Sequence, residues 1–195
     1  MKKLCLLMLI SVFCINANAQ KKKKSVIKVS KTNVLAKADN VSVEIVKNIF
    51  NIYVLNGKIK DSINIKTIGA AAPTDCKLVS FSAKNNKLYL LTYNEKTIVQ
   101  STNKTEEITA TNAEIFDIVS KTKVFSNVQK STKITEKVFL DRLKNASETQ
   151  ERMRNEGFVV TLLPDGDLSL KTKTQENKMS YDVTSKKYID SKKKK

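Results

Sequence analysis

Few side chains in this chain are of the types that do chemistry. Histidine is absent, which removes the one side chain that ionises near neutrality and the commonest transition-metal ligand. Ser-His-Asp and Cys-His nucleophile systems are thereby excluded. Of three cysteines, Cys5 and Cys14 fall in an amino-terminal leader and only Cys76 follows it. One thiol provides neither a zinc or iron-sulfur ligand set nor an internal disulfide. It reads as a small buried apolar residue or as a free thiol open to pairing between chains. Neither G-x-x-x-x-G-K-[ST] nor G-x-G-x-x-G occurs, so no nucleotide motif of those kinds is present and no cofactor is expected.

Carboxylates and lysines remain. Asp165 and Asp167 are the nearest approach to the paired acids of a carboxylate-based hydrolase, which needs no histidine. They also flank Gly166 directly after Pro164, where aspartate serves turn geometry alone. A calcium loop would need a further alternating oxygen ligand. No catalytic residue and no metal ligand is assigned on this pattern.

The formal net charge is +17, from 36 basic and 19 acidic residues. Ten of the lysines are Lys2 and Lys3, the run Lys21, Lys22, Lys23 and Lys24, and the run Lys192, Lys193, Lys194 and Lys195, which leaves 26 basic residues against the 19 acids. The two runs are candidate polyanion-binding sites, since each charge near an anionic membrane contributes about 1 kcal/mol. They read equally as solvated ends that aid solubility. Only Arg142, Arg152 and Arg154 carry the planar fork that reads base edges, so sequence-specific nucleic acid is not an expected partner.

The leader places these residues in a compartment. Lys2 and Lys3 precede the uncharged, mostly apolar Leu4 to Ile15 and then Ala17-Asn18-Ala19, the three-part layout of a secretory signal cleaved between Ala19 and Gln20. Twelve helical residues reach only about 18 Å against a hydrocarbon core of about 30 Å, too short for an anchor. Cys14 follows Val12 and Phe13, too bulky for the usual lipoprotein signal. No transmembrane segment is expected after cleavage, and the product is expected to be periplasmic or secreted. Asn40-Val41-Ser42, Asn103-Lys104-Thr105 and Asn145-Ala146-Ser147 match the N-glycosylation pattern, and Asp61-Ser62-Ile63 resembles a short O-glycosylation acceptor of some Gram-negative bacteria. In a chain rich in Asn, Thr and Ser, such short matches also arise by chance.

With two prolines and four glycines nothing marks an internal boundary. The expected organisation is a signal peptide over 1–19, a basic amino terminus over 20–25, one β-rich domain over 26–189 and a basic tail over 190–195. Short β-branched and aromatic runs predict strands at Val26 to Val29, Val41 to Ile45 and Asn48 to Leu55. A turn at Asn56-Gly57 then predicts a return strand over Lys58 to Ile65. Val43 to Val54 also fits a helical face. A second hairpin is expected from Leu78 to Ala83 and Lys87 to Tyr93, the latter central because Leu88, Tyr89, Leu90 and Leu91 are apolar in succession. Further strands are expected at Thr97 to Ser101, Glu106 to Thr111 and Lys123 to Val128, with Ile115 to Val119 ambiguous.

A stripe of Phe139, Leu143, Ala146 and Met153 predicts one amphipathic helix over Thr135 to Glu156, with Thr135 as N-cap and Gly157 as its terminator. Phe158 to Leu163, the turn Pro164 to Asp167, Leu168 to Leu170 and Met179 to Val183 predict a following meander. The fold class expected is α+β: mainly antiparallel sheet, with one long amphipathic helix over about 135–156 before a C-terminal β-meander.

These features point to an exported bacterial protein, most simply a non-catalytic module that binds or supports a cell-envelope component through a sheet surface. Binding of a polyanion or anionic membrane by the terminal lysine runs is the second expectation, and a carboxylate-based hydrolase the third. Sequencing the amino terminus of protein recovered from the producing cells should read Gln20 first. Protein that begins at Met1 and fractionates with cytosol would overturn the export assignment.

Overall fold

The structure is a computed structural model that describes residues 33–57 and 59–191. Among the described residues thirteen strands make three antiparallel sheets, and within each sheet every strand pairs with its neighbour in sequence. The first sheet contains β1 (Asn33–Ala38), β2 (Val41–Val46), β3 (Ile49–Asn56) and β4 (Ile59–Thr67). The second contains β5 (Thr74–Ala83), β6 (Asn86–Ser101), β7 (Lys104–Asp117), β8 (Thr122–Phe139) and β9 (Ser147–Glu156). The third contains β10 (Val159–Leu162), β11 (Leu168–Lys171), β12 (Glu176–Asp182) and β13 (Lys187–Asp190).

Glycine is scarce, so other residues take the left-handed turn positions. Lys47 and Asn48 between β2 and β3, and Lys84 and Asn85 between β5 and β6, all have φ between 49° and 64°. Two consecutive positive-φ residues are what the tightest hairpins require, and asparagine tolerates them best after glycine. The same pair at Lys47-Asn48 interrupts Val43 to Val54, so the helical alternative there is overturned and the segment is two strands.

Alternation along β6 and β7 organises the packing, because successive side chains of a strand point to opposite faces. Tyr89, Leu91, Tyr93 and Phe116 meet Val41, Val43, Phe50, Ile52 and Val54 of the first sheet in one core. Phe50 and Tyr93 are edge to face there, with ring centroids 5.1 Å apart. Leu88 and Ile115 point the other way and, with Ala83, Val124 and Phe125, meet Leu168, Leu170, Tyr181 and Tyr188 of the third sheet. The register slips between Ile115 and Phe116, a bulge that lets the consecutive residues Val124 and Phe125 both serve this second core. One end of the middle sheet is therefore sandwiched on both faces.

The expected helix over 135–156 does not form. Thr135 to Phe139 completes β8, Leu140 to Ala146 is a loop, and β9 returns alongside, with Thr135 opposite Glu151 and Lys137 opposite Thr149. The fold is therefore antiparallel β rather than α+β, with no α-helix among the described residues. The helical stripe was carried by four apolar positions. Against it stand β-branched residues before the loop (Val128, Thr132, Ile134, Thr135, Val138), which lose little side-chain freedom in a strand. Opposite charges also meet across the strands, Lys133 with Glu151 at 3.0 Å and Arg152 with Glu136 at 3.5 Å. The separate strands expected at 97–101 and 106–111 are the far ends of β6 and β7, and Ile115 and Phe116 lie in β7, which ends at Asp117. The strand expected at Val26 to Val29 lies outside the described residues.

Gly157 is no helix terminator; it turns the chain from β9 into the third sheet. Its φ is 82°, and a Cβ there would lie 2.5 Å from the Val128 carbonyl oxygen. Gly166, φ 83°, sits in the β10–β11 turn against the β5–β6 hairpin, where a Cβ would meet the Ser82 carbonyl oxygen at 2.5 Å. Its own carbonyl accepts the buried Tyr188 hydroxyl at 2.7 Å. Gly57 has positive φ but open space around it. Gly57→Ala should therefore cost about 1 kcal/mol of backbone strain, and Gly166→Ala roughly 2–4 kcal/mol because overlap is added. Urea denaturation midpoints of the two variants check the ordering.

Candidate functional site

Beyond the sandwiched end, the middle sheet continues as a single layer. β9 is exposed at all ten positions, and β6 is exposed from Lys96 onward. Cross-strand rows hold this part together. On one face Val99, Glu106, Ile134 and Arg152 lie in a row, beside Thr97, Ile108, Thr132 and Arg154. Ile134 and Thr132 are buried here without a covering sheet. Arg152 reaches from β9 to Glu136 on β8, and the charge of Arg154 acts on Glu106 two strands away, so long side chains cross the row. The Lys104 ammonium, 2.6 Å from Glu106, holds that carboxyl below its usual range, with Arg154 and Arg152 adding to the effect. The opposite face carries the row Ile98, Glu107, Lys133 and Met153, in which Ile98 and Met153 are exposed.

The layer ends in the β8–β9 loop. Leu140 N–H donates to the Ala146 carbonyl at 3.0 Å, Lys144 N–H to the Asp141 carbonyl at 3.2 Å, and Asn145 N–H to Asp141 Oδ1 at 2.8 Å. Lys144 takes φ 61° to close the turn. Leu140 and Leu143 are 63% and 79% exposed, the latter among the most exposed large apolar side chains described. The Lys137 and Lys144 ammoniums lie 5.5 and 5.4 Å from the Phe139 ring centroid.

Two open clefts flank the sandwiched end. One, of about 460 Å³, is lined by Asn40, Asn56, Asp61, Lys87, Tyr89 and Lys121 among others. Its charges are already paired, Lys121 with Asp61 at 2.6 Å and Lys87 with Asp39 at 2.8 Å. Those lysines hold both aspartates below the usual carboxylate range, so neither is poised to donate a proton at neutral pH. The other cleft, about 650 Å³, opens between the end of β9 and the β10–β11 pair, lined by Gln129, Asn155, Thr161, Lys171, Lys173 and Thr174 among others.

The acids do not assemble a catalytic pair. Asp165 Oδ1 accepts the Asp167 N–H at 3.0 Å, an aspartate turn, and Lys178 sits 3.4 Å from Asp165 and 3.3 Å from Asp167. The backbone bond from Asp167, with Lys178 beside it, lowers the Asp165 carboxyl, the wrong direction for a general acid. Glu44 is buried but bonded to Ser42 and Lys60, each at 2.7 Å. Glu114 is buried with Oε1 bonded to Lys123 at 2.9 Å, while its Oε2 has no partner among the described residues. It faces the same core as Tyr93, where burial, then Glu114 and Glu95, push the Tyr93 hydroxyl far up. Among the described residues no three acidic, cysteine or histidine side chains cluster as a metal site, and no helix is long and apolar enough to cross a membrane.

The residues singled out in the sequence are scattered. Lys21, Lys22, Lys23, Lys24, Lys192, Lys193, Lys194 and Lys195, and the cleavage pair Ala19 and Gln20, lie outside the described residues. Asn40 is in a turn with its amide donating to the Leu55 carbonyl at 3.0 Å, Asn103 and Asn145 are in exposed loops at the far end of the single layer, and Ser62 is exposed on the edge strand β4. The single layer and its loop were hidden by the helix reading. The signal that marks them is Leu140-Asp141-Arg142-Leu143-Lys144, which sets polar turn residues between β-rich flanks. No protein family, curated protein or solved structure matches the chain.

Cys76, half-buried on β5, has its thiol pushed up to about 11, first by burial and then by Asp75, with Lys66 opposing. The thiolate is the reactive form. Alkylation of Cys76 by iodoacetamide should be far slower at neutral pH than that of a small-molecule thiol, and its rate should keep rising with pH to about 11. A rate that levels off near pH 8 to 9, about where free cysteine ionises, would contradict this.

Proposed function

We propose that the protein is a non-catalytic binding module of the bacterial cell envelope, acting outside the cytoplasm after removal of residues 1–19. The observation that carries the reading is the far half of the middle sheet, a layer of four strands that neither of the other two described sheets covers and whose edge strand β9 is exposed along its whole length. A domain that needed only stability would gain by covering it, since buried apolar area stabilises at about 25 cal/mol per Å². Its surface is instead built of cross-strand charge pairs with isolated apolar side chains, which suits contact with a large partner. The export reading rests on the leader Lys2 to Ala19. The weak acid chemistry at Asp165 and Asp167 argues for a module rather than a hydrolase, because both carboxylates are held by Lys178 and the turn.

The test combines location and binding. The full chain expressed in its host should fractionate with the envelope, and the purified mature chain should co-sediment with isolated envelopes. Lys133→Gln, Arg152→Gln and Arg154→Gln together should weaken that association about tenfold, with circular dichroism showing that the variant still folds. Association that survives these changes but is lost when the two lysine runs become glutamine would favour the polyanion reading instead. Recovery from cytosol alone would sink the proposal.

A further inference from the structure

The β8–β9 loop has an apolar apex, Leu140 and Leu143 beside Phe139, and a cationic collar of Lys137, Arg142 and Lys144. We propose that this loop docks on the surface of an anionic lipid bilayer, the leucines entering the acyl boundary and the collar lying among lipid phosphates. The inference rests on the envelope reading and names the partner of that same surface.

Three observations support it. The loop is remote from both cores: β8 runs from Phe125 in the second core to Phe139 at the loop, roughly 45 Å at strand rise. Nothing in either core can cover the leucines. Several backbone donors at the apex are satisfied within the loop, by the Ala146 and Asp141 carbonyls and by Asp141 Oδ1. Moving it into a poorly hydrated boundary leaves those N–H groups paired, a condition that membrane-inserted backbone must meet. The charge fixes the kind of surface. Lys137, Arg142 and Lys144 outnumber Asp141 and Glu148, the latter opposite Val138, and this excess of cations is complemented by an anionic headgroup layer and not by a second like-charged copy. An amphipathic element of this composition binds by apolar burial plus attraction to anionic lipid.

The experiment uses the mature chain with Leu143→Trp, in a background without any other tryptophan, and vesicles of phosphatidylcholine with or without phosphatidylglycerol. The indole emission should shift to the blue and resist an aqueous quencher only with phosphatidylglycerol vesicles, and soluble heparin should produce no shift. Leu140→Asp with Leu143→Asp should reduce co-sedimentation with those vesicles about tenfold or more. Lys137→Gln, Arg142→Gln and Lys144→Gln together should abolish the preference for phosphatidylglycerol. Circular dichroism confirms that each variant folds.

Vesicle binding with an unshifted, quenchable indole would overturn the inference and assign the contact to the lysine runs. A blue shift without vesicles that grows with protein concentration would assign the loop to self-association. Absence of vesicle binding while envelope co-sedimentation persists would overturn this inference alone and leave the envelope reading intact. Loss of both would remove the two together.

Discussion

The architecture depends on one constraint, that β6 and β7 are apolar on both faces at one end. Leu88 with Leu90 and Tyr89 with Leu91 present large side chains in opposite directions, and Ile115 and Phe116 repeat this on the neighbouring strand. A sheet so patterned cannot leave either face in water. The first and third sheets are the two covers, and each is a four-stranded meander of modest size. Neither would be expected to stand alone, since a small sheet with one apolar face needs a partner layer. The edge-to-face pairs Phe50 with Tyr93 and Phe125 with Tyr188 sit on opposite sides of the same sheet and tie one cover to each.

Past Tyr93 the apolar alternation stops, and so do the covers. From there the sheet is held by its ladder and by pairs between opposite charges, each worth less than about 1 kcal/mol in water. The rows still act together: Arg152 pairs with Glu136 on the next strand, and the charges of Arg154 and Arg152 reach Glu106 two strands away. β9 is the outer edge of this layer, and an exposed edge is a template for unwanted pairing. Its charges at Glu148, Glu151, Arg152, Arg154 and Glu156 guard against that. The same charges make it unlike a buried strand in composition.

That is why part of the fold was legible in the residues and part was not. Strands whose alternation is fixed by a core were readable: Val41, Val43 and Ile45, the doubly apolar Leu88 to Leu91, and the turn at Pro164 to Asp167; the hairpin after Leu55 was readable too, but Asn56 still pairs with Ile59, so its turn begins at Gly57 and not at Asn56. β9 was not, since a strand with both faces in water has no reason to alternate, and Ser147 to Glu156 carries no period of two. A four-residue stripe then reads as helix by default. β13 was missed because Lys187 to Asp190 is short, and only Tyr188 commits it to the core. At the candidate site, the lysine runs drew attention by number, while the loop at Leu140 to Lys144 depends on a turn that helical periodicity conceals. Leu143 belongs to the helical stripe by spacing, yet it sits exposed at the apex beside Leu140.

The strictly sequential order of the strands has a consequence for how the chain reaches this state. No strand waits for a partner from a distant part of the sequence, so each pairing closes only a short loop, with a small entropic cost. Pairing only sequence neighbours keeps contact order below that of a β topology with crossovers, and lower contact order goes with faster folding. A chain that emerges amino terminus first on the far side of a membrane delivers the first sheet whole, then the strands it covers, and only last the Gly157 corner and the closing layer. Growth by successive hairpins leaves at each stage one open edge, the next to be occupied.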